Sequence, residues 1–509
     1  MDQREKVIVV GAGIGGLATA MELASQGLDV QLFERAQSPG GKMREVGIGG
    51  ARIDAGPTVL TMRWVFEELF GNAGTSLDAE LGLKQADIIA RHAWNENERL
   101  DLFADLQRSA DAVARFSGPD EGKRFLAFSK DAQRIYQTLK RPFISSSRTN
   151  PLGLTGRVGR DGLRGMLQIK PYSTLWQALS GHFRDPRLRQ LFGRYATYAG
   201  SSPFLSPATL MLIAHVEQEG VWLVDGGMHQ LAVAMARLAE RNGATIHYGA
   251  EVAEILTQGG RANAIRLAGA NNERVEANAI IVNSDVSALG AGLLGQQVIR
   301  AVPPTLRRHR SLSAITWNLV AKTREFPLMR HSVFFSSDYS AEFDDIFKQG
   351  RFPQEPTVYI CAQDRGASMS EAEAGLSDPL APERLLILVN APANGDTHRL
   401  DAEETGRLRN RSFAVLERCG LRIEYQEAGI QATTPADFER LFPATGGALY
   451  GRASHGWQAS FARPGSRTKV PGLYLAGGST HPGAGVPMAA LSGRQAATSV
   501  LADLARSRG

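Results

Sequence analysis

The first 34 residues show a strand pattern, then a helix pattern, then a second strand pattern of hydrophobic positions. Val7–Val10 is an unbroken run of β-branched residues, which favours a strand buried on both faces of a parallel sheet. Residues 17–24 place apolar side chains at helical spacing, and Gly27 ends that helix. Residues 29–34 return to a strand pattern that ends at Glu34. The order predicts a βαβ unit and an α/β fold class.

The same patterns return later in the chain. Residues 243–255 predict a strand, a tight turn and a second strand, and 279–282 form another β-branched run. Residues 471–475 predict a strand, followed by a turn of small residues and by a helix from 489 to 501.

A glycine-rich turn joins the first strand to the first helix. It has the G-x-G-x-x-G spacing at Gly11, Gly13 and Gly16, and such a turn brings backbone close to a pyrophosphate at the start of a helix. Glu34, at the end of the second strand, is placed to accept both ribose hydroxyls of an adenosine. Together these features predict a dinucleotide site.

A second G-x-G-x-x-G match at 290–295 has the wrong context. The strand before it ends seven residues too early, so we predict a helix and its cap over 286–295. An NADP site that uses the arginines of 306–310 is the alternative, but the arrangement favours a single dinucleotide.

Composition narrows the class of protein. The chain has 509 residues, 43% of them hydrophobic and 21% charged, which excludes a disordered or collagen-like polypeptide and favours two or three lobes. Cys361 and Cys419 are far apart, so no disulfide scaffold and no metal site are predicted. With no room for a signal peptide and no apolar run of membrane-spanning length, we expect a cytoplasmic protein.

Two further turns carry a family resemblance. Gly40-Gly41-Lys42 follows the acidic residue, and Gly56-Pro57-Thr58 belongs to another tight turn that begins at Ile53. With the first glycine turn, they resemble the flavin-containing amine oxidase and phytoene desaturase superfamily. The resemblance implies FAD as the cofactor, held in a Rossmann-type domain of the glutathione reductase 2 type.

Residues 471–488 resemble a narrower group of proteins within this superfamily. The string from Thr480 to Pro487, T-H-P-G-A-G-V-P, resembles the bacterial carotenoid desaturases. The resemblance implies that this turn and the helix after it return to the flavin. It also implies that Val252 meets the adenine, and that the strand before Asp285 matches a family segment ending in N-x-D-V. The implied FAD-binding residues are Gly11, Gly13, Ile14, Gly15, Gly16, Glu34, Arg35, Gly40, Gly41, Lys42, Gly56, Pro57, Thr58, Val252, Asp285, Gly477, Gly478, Val486, Pro487 and Met488.

The resemblance also implies a division of the chain. The FAD-binding domain is expected to consist of residues 1–90, 215–310 and 445–509. Two insertions, 91–214 and 311–444, are expected to build an α+β substrate lobe.

The implied reaction is the oxidation of C–C to C=C in a long acyclic carotenoid. Hydride would leave an allylic carbon and a neighbouring proton would be lost, while conjugation spreads the charge, so no strong catalytic base is required. His481, Glu217, Glu219 and His331 are each explained as well or better by a structural role. No catalytic residue is therefore assigned.

Charge is concentrated in one segment of the chain. The net charge is +5, and between Lys140 and Lys170 seven cations stand against Asp161. Phe143, Ile144, Trp176 and other apolar residues are mixed with them, and this mixture favours a membrane-facing helical or loop segment on an anionic membrane, with no role in binding nucleic acid. A solvated basic loop is the alternative. We expect peripheral attachment to the inner or intracytoplasmic membrane.

Several activities share these motifs. Phytoene, diapophytoene and hydroxycarotenoid 3,4-desaturases all fit, and Ala476–Thr480 with Val486–Met488 favours the last group by resemblance. An amine or protoporphyrinogen oxidase and a flavin-free escort protein of the related GDP-dissociation-inhibitor fold are more distant alternatives. With one dinucleotide site, oxygen or a quinone is expected as the electron acceptor.

Overall fold

A computed structural model describes residues 5–146, 173–269, 272–366 and 381–508. The strands, numbered β1 to β20 in chain order, are Lys6–Val10, Asp29–Glu34, Glu45–Ile48, Ala51–Asp54, Leu83–Gln85, Ile88–Ala93, Arg99–Phe103, Trp222–Val224, Thr245–Tyr248, Val252–Gln258, Arg261–Leu267, Arg274–Glu276, Ala279–Val282, Ser313–Arg324, His331–Phe334, Val358–Ala362, Glu383–Ala391, Arg422–Glu424, Ile430–Thr433 and Leu473–Leu475. The helices, numbered α1 to α14, are Ile14–Ser25, Arg63–Asn72, Leu77–Glu80, Leu106–Ser117, Pro119–Leu139, Leu175–His182, Pro186–Gly193, Leu212–Gln218, His229–Arg241, Val286–Gly290, Tyr339–Asp344, Ala402–Arg418, Pro435–Leu441 and Val486–Arg508.

The first sheet is parallel and has the strand order β20-β13-β1-β2-β9. Its alternate residues enter two different cores, as expected for a strand buried on both faces. Val7 and Val9 of β1 pack against α1, α9 and α14, whereas Ile8 and Val10 pack towards β10 and β11. The βαβ unit and the strand-turn-strand at 243–255 are confirmed.

The second sheet belongs to the other lobe and lies between a hydrophobic core and a cavity. Among the described residues it has the order β18-β14-β17-β16-β15-β6-β7, with β19 also paired to β14. One face carries Trp317, Ile360 and Ile387 into a core with α12. Because side chains alternate along a strand, the neighbouring residues Thr316, Tyr359 and other side chains face the opposite way, towards a cavity.

The two sheets come from interleaved stretches of the chain. The strands of the parallel sheet all fall within 1–90, 215–310 and 445–509, and α4–α7 fall within 91–214. Two boundaries of the proposed division cut elements, since 90 lies inside β6 and 214 lies inside α8. The division stays a proposal, with these two boundaries better placed at the ends of those elements.

The basic segment lies mostly outside the described residues. The charged residues that lie outside them are Arg148, Arg157, Arg160, Asp161, Arg164 and Lys170. Of the apolar residues at its ends, Phe143 packs edge-on against His481 and Phe461, and Trp176 packs against Phe204. Within the described parts of the chain, no helix is long and apolar enough to span a bilayer.

Candidate FAD and substrate cavity

Three separated glycine turns meet at one end of the parallel sheet. Gly40 donates its N–H to Ala12 O at 2.8 Å and pairs with Gly13 in an isolated bridge. A Cβ added to Gly15 would come within 2.7 Å of the amide nitrogen of Gly477. The turns at 11–16, 40–42 and 477–478 therefore form one backbone cradle, and Gly15 and Gly40 leave no room in it for a Cβ.

This cradle is the wall of a cavity of about 1270 Å³. All but one of the residues that the sequence assigns to FAD line this cavity; they are Gly11, Gly13, Ile14, Gly15, Glu34, Arg35, Gly40, Gly41, Lys42, Gly56, Pro57, Thr58, Val252, Asp285, Gly477, Gly478, Val486, Pro487 and Met488. Gly16 lies off the cavity. A Cβ there would sit 2.0 Å from Gly11 O, so Gly16 allows α1 to pack on the preceding turn.

Helix α1 presents its N-terminus to the cradle. Its N-cap is Gly13, which has no side chain to bond the free amides of the first turn. Those amides and the positive end of the helix dipole suit an anion. The cradle therefore fits a pyrophosphate.

Glu34 is held in place by the backbone around the cradle. Its Oε2 accepts the Ala12 N–H at 2.7 Å, and its Oε1 accepts the Ala36 N–H at 2.8 Å. Each carboxylate oxygen keeps a second lone pair for a ribose hydroxyl. The Ala250 N–H donates to Glu34 O at 2.9 Å, which places Val252 at the same end of the cavity. The arrangement fits an adenosine.

Two buried cations and one carboxylate line the middle of the cavity. Lys42 donates to Leu449 O at 2.6 Å, and burial lowers the pKa of its ammonium, although Asp285 opposes this. Arg463 donates to Gly478 O at 2.8 Å, and burial lowers its pKa to about 10. The Oδ2 of Asp285 is buried without a hydrogen-bond partner.

These residues fit FAD. The orphaned Asp285 oxygen is an acceptor for a ligand hydroxyl such as those of a ribityl chain, and the cations balance the pyrophosphate. The cavity also exceeds the roughly 300–1,000 Å³ of ordinary small-molecule pockets, so it has room for a second, elongated ligand. When bound, FAD supplies a two-electron hydride acceptor.

The cavity continues from the cradle into the second lobe. Apolar side chains dominate there, among them Leu210, Ile213, Val216, Leu386 and Leu388. Polar side chains lie among them, and we call Thr58, Arg194, Tyr198 and Tyr359 the polar patch. Tyr359 shares hydrogen bonds with Thr58 Oγ1 at 2.6 Å and with His331 Nδ1 at 2.7 Å.

The acid-base candidates hold structural positions. Glu217 is buried behind the cavity wall, where Tyr195 and Tyr198 donate to it, and burial raises its pKa. Burial lowers the pKa of His331 to about 3, which keeps the imidazole neutral. His481 Nε2 shares a 2.9 Å hydrogen bond with Phe143 O. Glu219 Oε1 lies 3.3 Å from His215 Nε2. None of the four lines the cavity.

Sequence reasoning missed several residues of the site. Asn283 sits over the first glycine turn, with Nδ2 3.3 Å from Gly11 O, and its place in the N-x-D-V segment was the available signal. Arg463 anchors the C-terminal turn without belonging to a recognisable motif. Arg194 and Tyr359 meet only in the fold. Residues 286–290 form α10, and the residues after it form a turn with Gly292 and Gly295 at positive φ, so the helix predicted over 286–295 is present but ends at Gly290.

Comparison with known proteins identifies a matching family and similar relatives. The family model for flavin containing amine oxidoreductases matches residues 14–322 and 432–501. The chain is 53% identical over 98% of its length to a hydroxyneurosporene desaturase of Rubrivivax gelatinosus, covering 94% of that protein. It is 44% identical over 99% of its length to a hydroxyneurosporene desaturase of Cereibacter sphaeroides, covering 99% of that protein.

A different desaturase and two solved structures are less similar. A zeta-carotene-forming phytoene desaturase of Myxococcus xanthus is 32% identical over 97% of this chain and 93% of its own length. An oxidoreductase from Methanosarcina mazei superposes with a TM-score of 0.59 at 17% identity, over 98% of this chain and all of its own. A putrescine oxidase variant superposes with a TM-score of 0.59 at 16% identity, over 98% of this chain and 99% of its own. The two structures support the fold.

Proposed function

Since this chain belongs to the family of flavin containing amine oxidoreductases, we propose that it is an FAD-dependent carotenoid desaturase that forms the 3,4 double bond of a 1-hydroxylated acyclic carotenoid. One observation carries the proposal: the glycine cradle and an apolar chamber are parts of one cavity. The identities of 53% and 44% to hydroxyneurosporene desaturases, against 32% to a phytoene desaturase, favour the hydroxylated substrate.

The protein's own residues act by binding, orienting and excluding water. The glycine turns, Glu34, Lys42 and Arg463 would hold the cofactor, and the apolar wall would hold the polyene beside it. Removing hydride from an allylic carbon leaves a cation that conjugation stabilises, and a proton is then lost from the neighbouring carbon. The chamber contributes by keeping water away from that cation. No side chain is assigned as the base.

Product analysis tests the substrate. Cells that accumulate 1-hydroxyneurosporene and cells that accumulate phytoene should each express the chain, and products should be identified by absorption and by mass. We expect the loss of two hydrogens only from the hydroxylated carotenoid. Coloured products from phytoene would make the enzyme a phytoene desaturase. No change in either, with FAD bound, would point to an amine or protoporphyrinogen oxidase.

We also propose that the enzyme attaches to the cytoplasmic surface of an anionic membrane. Its carotenoid substrate dissolves in lipid, and each of the seven cations between 140 and 170 can contribute about 1 kcal/mol near such a surface. Liposome flotation should recover the protein with anionic vesicles and lose it with neutral ones or at high salt. Equal recovery from both, or recovery from neither, would overturn this proposal.

Oxygen or a quinone is proposed as the electron acceptor. Support comes from the second glycine motif, which begins at the last residue of α10 and continues as a turn, whereas a dinucleotide site requires a strand directly before the motif. The substrate-reduced holoenzyme should recover its oxidised flavin spectrum when mixed with oxygen or a soluble quinone. Recovery only with NADP⁺ would contradict the proposal.

A further inference from the structure

The polar patch is an unusual feature for a chamber that holds a hydrocarbon. The Arg194 guanidinium lies 5.5 Å from the ring centre of Tyr198 and 5.4 Å from that of Tyr359. Arg194, Tyr198 and Tyr359 are each only partly buried, and because all three line the cavity, their open surface faces its interior. Polar groups in such a place are unfavourable unless they are paired with a partner.

The charge of Arg194 is compensated from behind the wall. Burial opposes that charge, but Tyr198 and Glu217 raise the pKa of the guanidinium above its usual value. Glu217 accepts from Tyr195 at 2.5 Å and also from Tyr198. The protein thus maintains a cation with several N–H donors at the cavity wall, together with a carboxylate that keeps the pair close to neutral.

The position of the patch relates it to the reacting end of the substrate. Thr58 belongs both to the patch and to the Gly56–Thr58 turn, which the sequence assigns to the FAD site. In 3,4-desaturation the bond that is oxidised begins only two carbons from the hydroxylated C1. A group that binds the hydroxyl must therefore sit beside the cofactor, as the patch does.

Resting on the proposed function, we propose that the polar patch binds the C1 hydroxyl of the carotenoid and thereby selects hydroxylated substrates. Arg194 donates an N–H to the hydroxyl oxygen, and Tyr198 accepts the hydroxyl hydrogen, since its own hydrogen is donated to Glu217. A carotenoid that lacks the hydroxyl covers the cavity-facing N–H of Arg194 and the free lone pair of Tyr198 without offering either of them a hydrogen bond. Sites built in this way reject the deoxy analogue strongly, by about 10⁴-fold or more in the best cases.

The test is the substrate preference of the holoenzyme. We would measure kcat/KM for 1-hydroxyneurosporene and for neurosporene in the wild type, in the double variant Arg194→Met with Glu217→Gln, and in Tyr359→Phe. The double variant removes both charges together, so that neither is left buried alone. Tyr359→Phe provides a second, milder change if the double variant does not fold.

Tyr195→Phe is the matched control. Like Tyr198, Tyr195 donates to Glu217, but it does not line the cavity. We expect the ratio of kcat/KM for the hydroxylated carotenoid to kcat/KM for neurosporene to fall at least 10-fold in the double variant. The ratio should fall by a smaller factor in Tyr359→Phe. Tyr195→Phe should keep the wild-type ratio.

Two results would overturn the inference. Parallel losses on both substrates, with the ratio unchanged, would make the patch structural. An unchanged ratio with an altered flavin reduction potential would show that Arg194 faces the cofactor. These results are distinct from a failure of the proposed function, in which the FAD-bound wild type converts neither carotenoid and the inference falls with it.

Discussion

Gly15 and Gly477 are in backbone contact across the cofactor cradle. The first lies at the start of α1 and the second follows β20, and a Cβ on Gly15 would lie 2.7 Å from the Gly477 amide nitrogen and 2.6 Å from Asn283 Oδ1. Contacts this short force backbone to move. The FAD site therefore depends on two chain segments that only the finished fold brings together.

Gly15→Ala should reduce FAD retention. The added methyl group separates the first and last glycine turns, so we expect a lower flavin absorbance relative to protein absorbance after purification. The control is Gly406→Ala in α12, where a Cβ meets nothing within 4 Å. That change should leave flavin content unaltered and stabilise the helix by about 0.5–1 kcal/mol. Full flavin content in Gly15→Ala would contradict the packing argument.

Glu34→Gln should weaken FAD binding about 10- to 100-fold. The amide cannot accept from both Ala12 and Ala36, and it loses the charge that strengthens hydrogen bonds to ribose. Titration of the apoprotein with FAD measures the dissociation constant. Glu251→Gln is the control, because Glu251 lines the same cavity but is exposed. Equal effects of the two changes would refute a specific role for Glu34.

FAD affinity should fall with rising pH as Lys42 loses its proton. The charged ammonium of Lys42 attracts the pyrophosphate, and burial lowers the pKa of Lys42, so this charge is lost at a lower pH than for an exposed lysine. We expect the dissociation constant of the wild type to increase with pH before the usual lysine value of 10.5 is reached. Lys42→Met should bind weakly and should lack this pH dependence. A pH slope that persists in Lys42→Met would assign the titration to another group.

Acid should destabilise the protein in part through His455. Its Nε2 accepts the Ser202 N–H at 3.1 Å, so the folded state requires the neutral ring, and burial lowers its pKa to about 4. The unfolded chain takes up this proton near the usual histidine pKa of 6.5. The stabilisation is therefore complete above that pH and is lost as the pH falls towards 4.

His455→Gln removes this titration while keeping an acceptor for Ser202. At pH 7.5 the variant should be less stable than the wild type, and the difference should shrink on the order of 1–2 kcal/mol by about pH 4.5. Urea denaturation at the two pH values measures it. A difference that does not change with pH would show that His455 does not titrate in this range.

The sequence predicted more of the residues that line the cradle end of the cavity than of those that line its end in the second lobe. Gly11, Gly40 and Gly477 occupy positive φ in tight turns, and such backbone positions leave a direct mark on the sequence. The strands before the first and last of these turns are equally plain, because β1 and β20 are buried on both faces. Local patterns therefore sufficed for this lobe.

Arg194 and Tyr359 left no such mark. Each lies in an ordinary helical or strand pattern, and their contact arises because β16 places Tyr359 on the cavity side of the second sheet while Arg194 follows α7. Pairings between distant elements follow from the packing of the lobes, and no local pattern in a single sequence encodes them.

The strand order β20-β13-β1-β2-β9 bears on how the protein is made. During synthesis β1 and β2 leave the ribosome early, but β1 lacks its other neighbour until β13 arrives, and β20 follows only after the whole second sheet. Long-range parallel pairing of this kind is slow and leaves unpaired strand edges exposed meanwhile. Nascent chains should therefore be unable to capture the flavin until β20 has emerged, and premature termination before Leu473 should yield aggregates rather than a smaller flavoprotein.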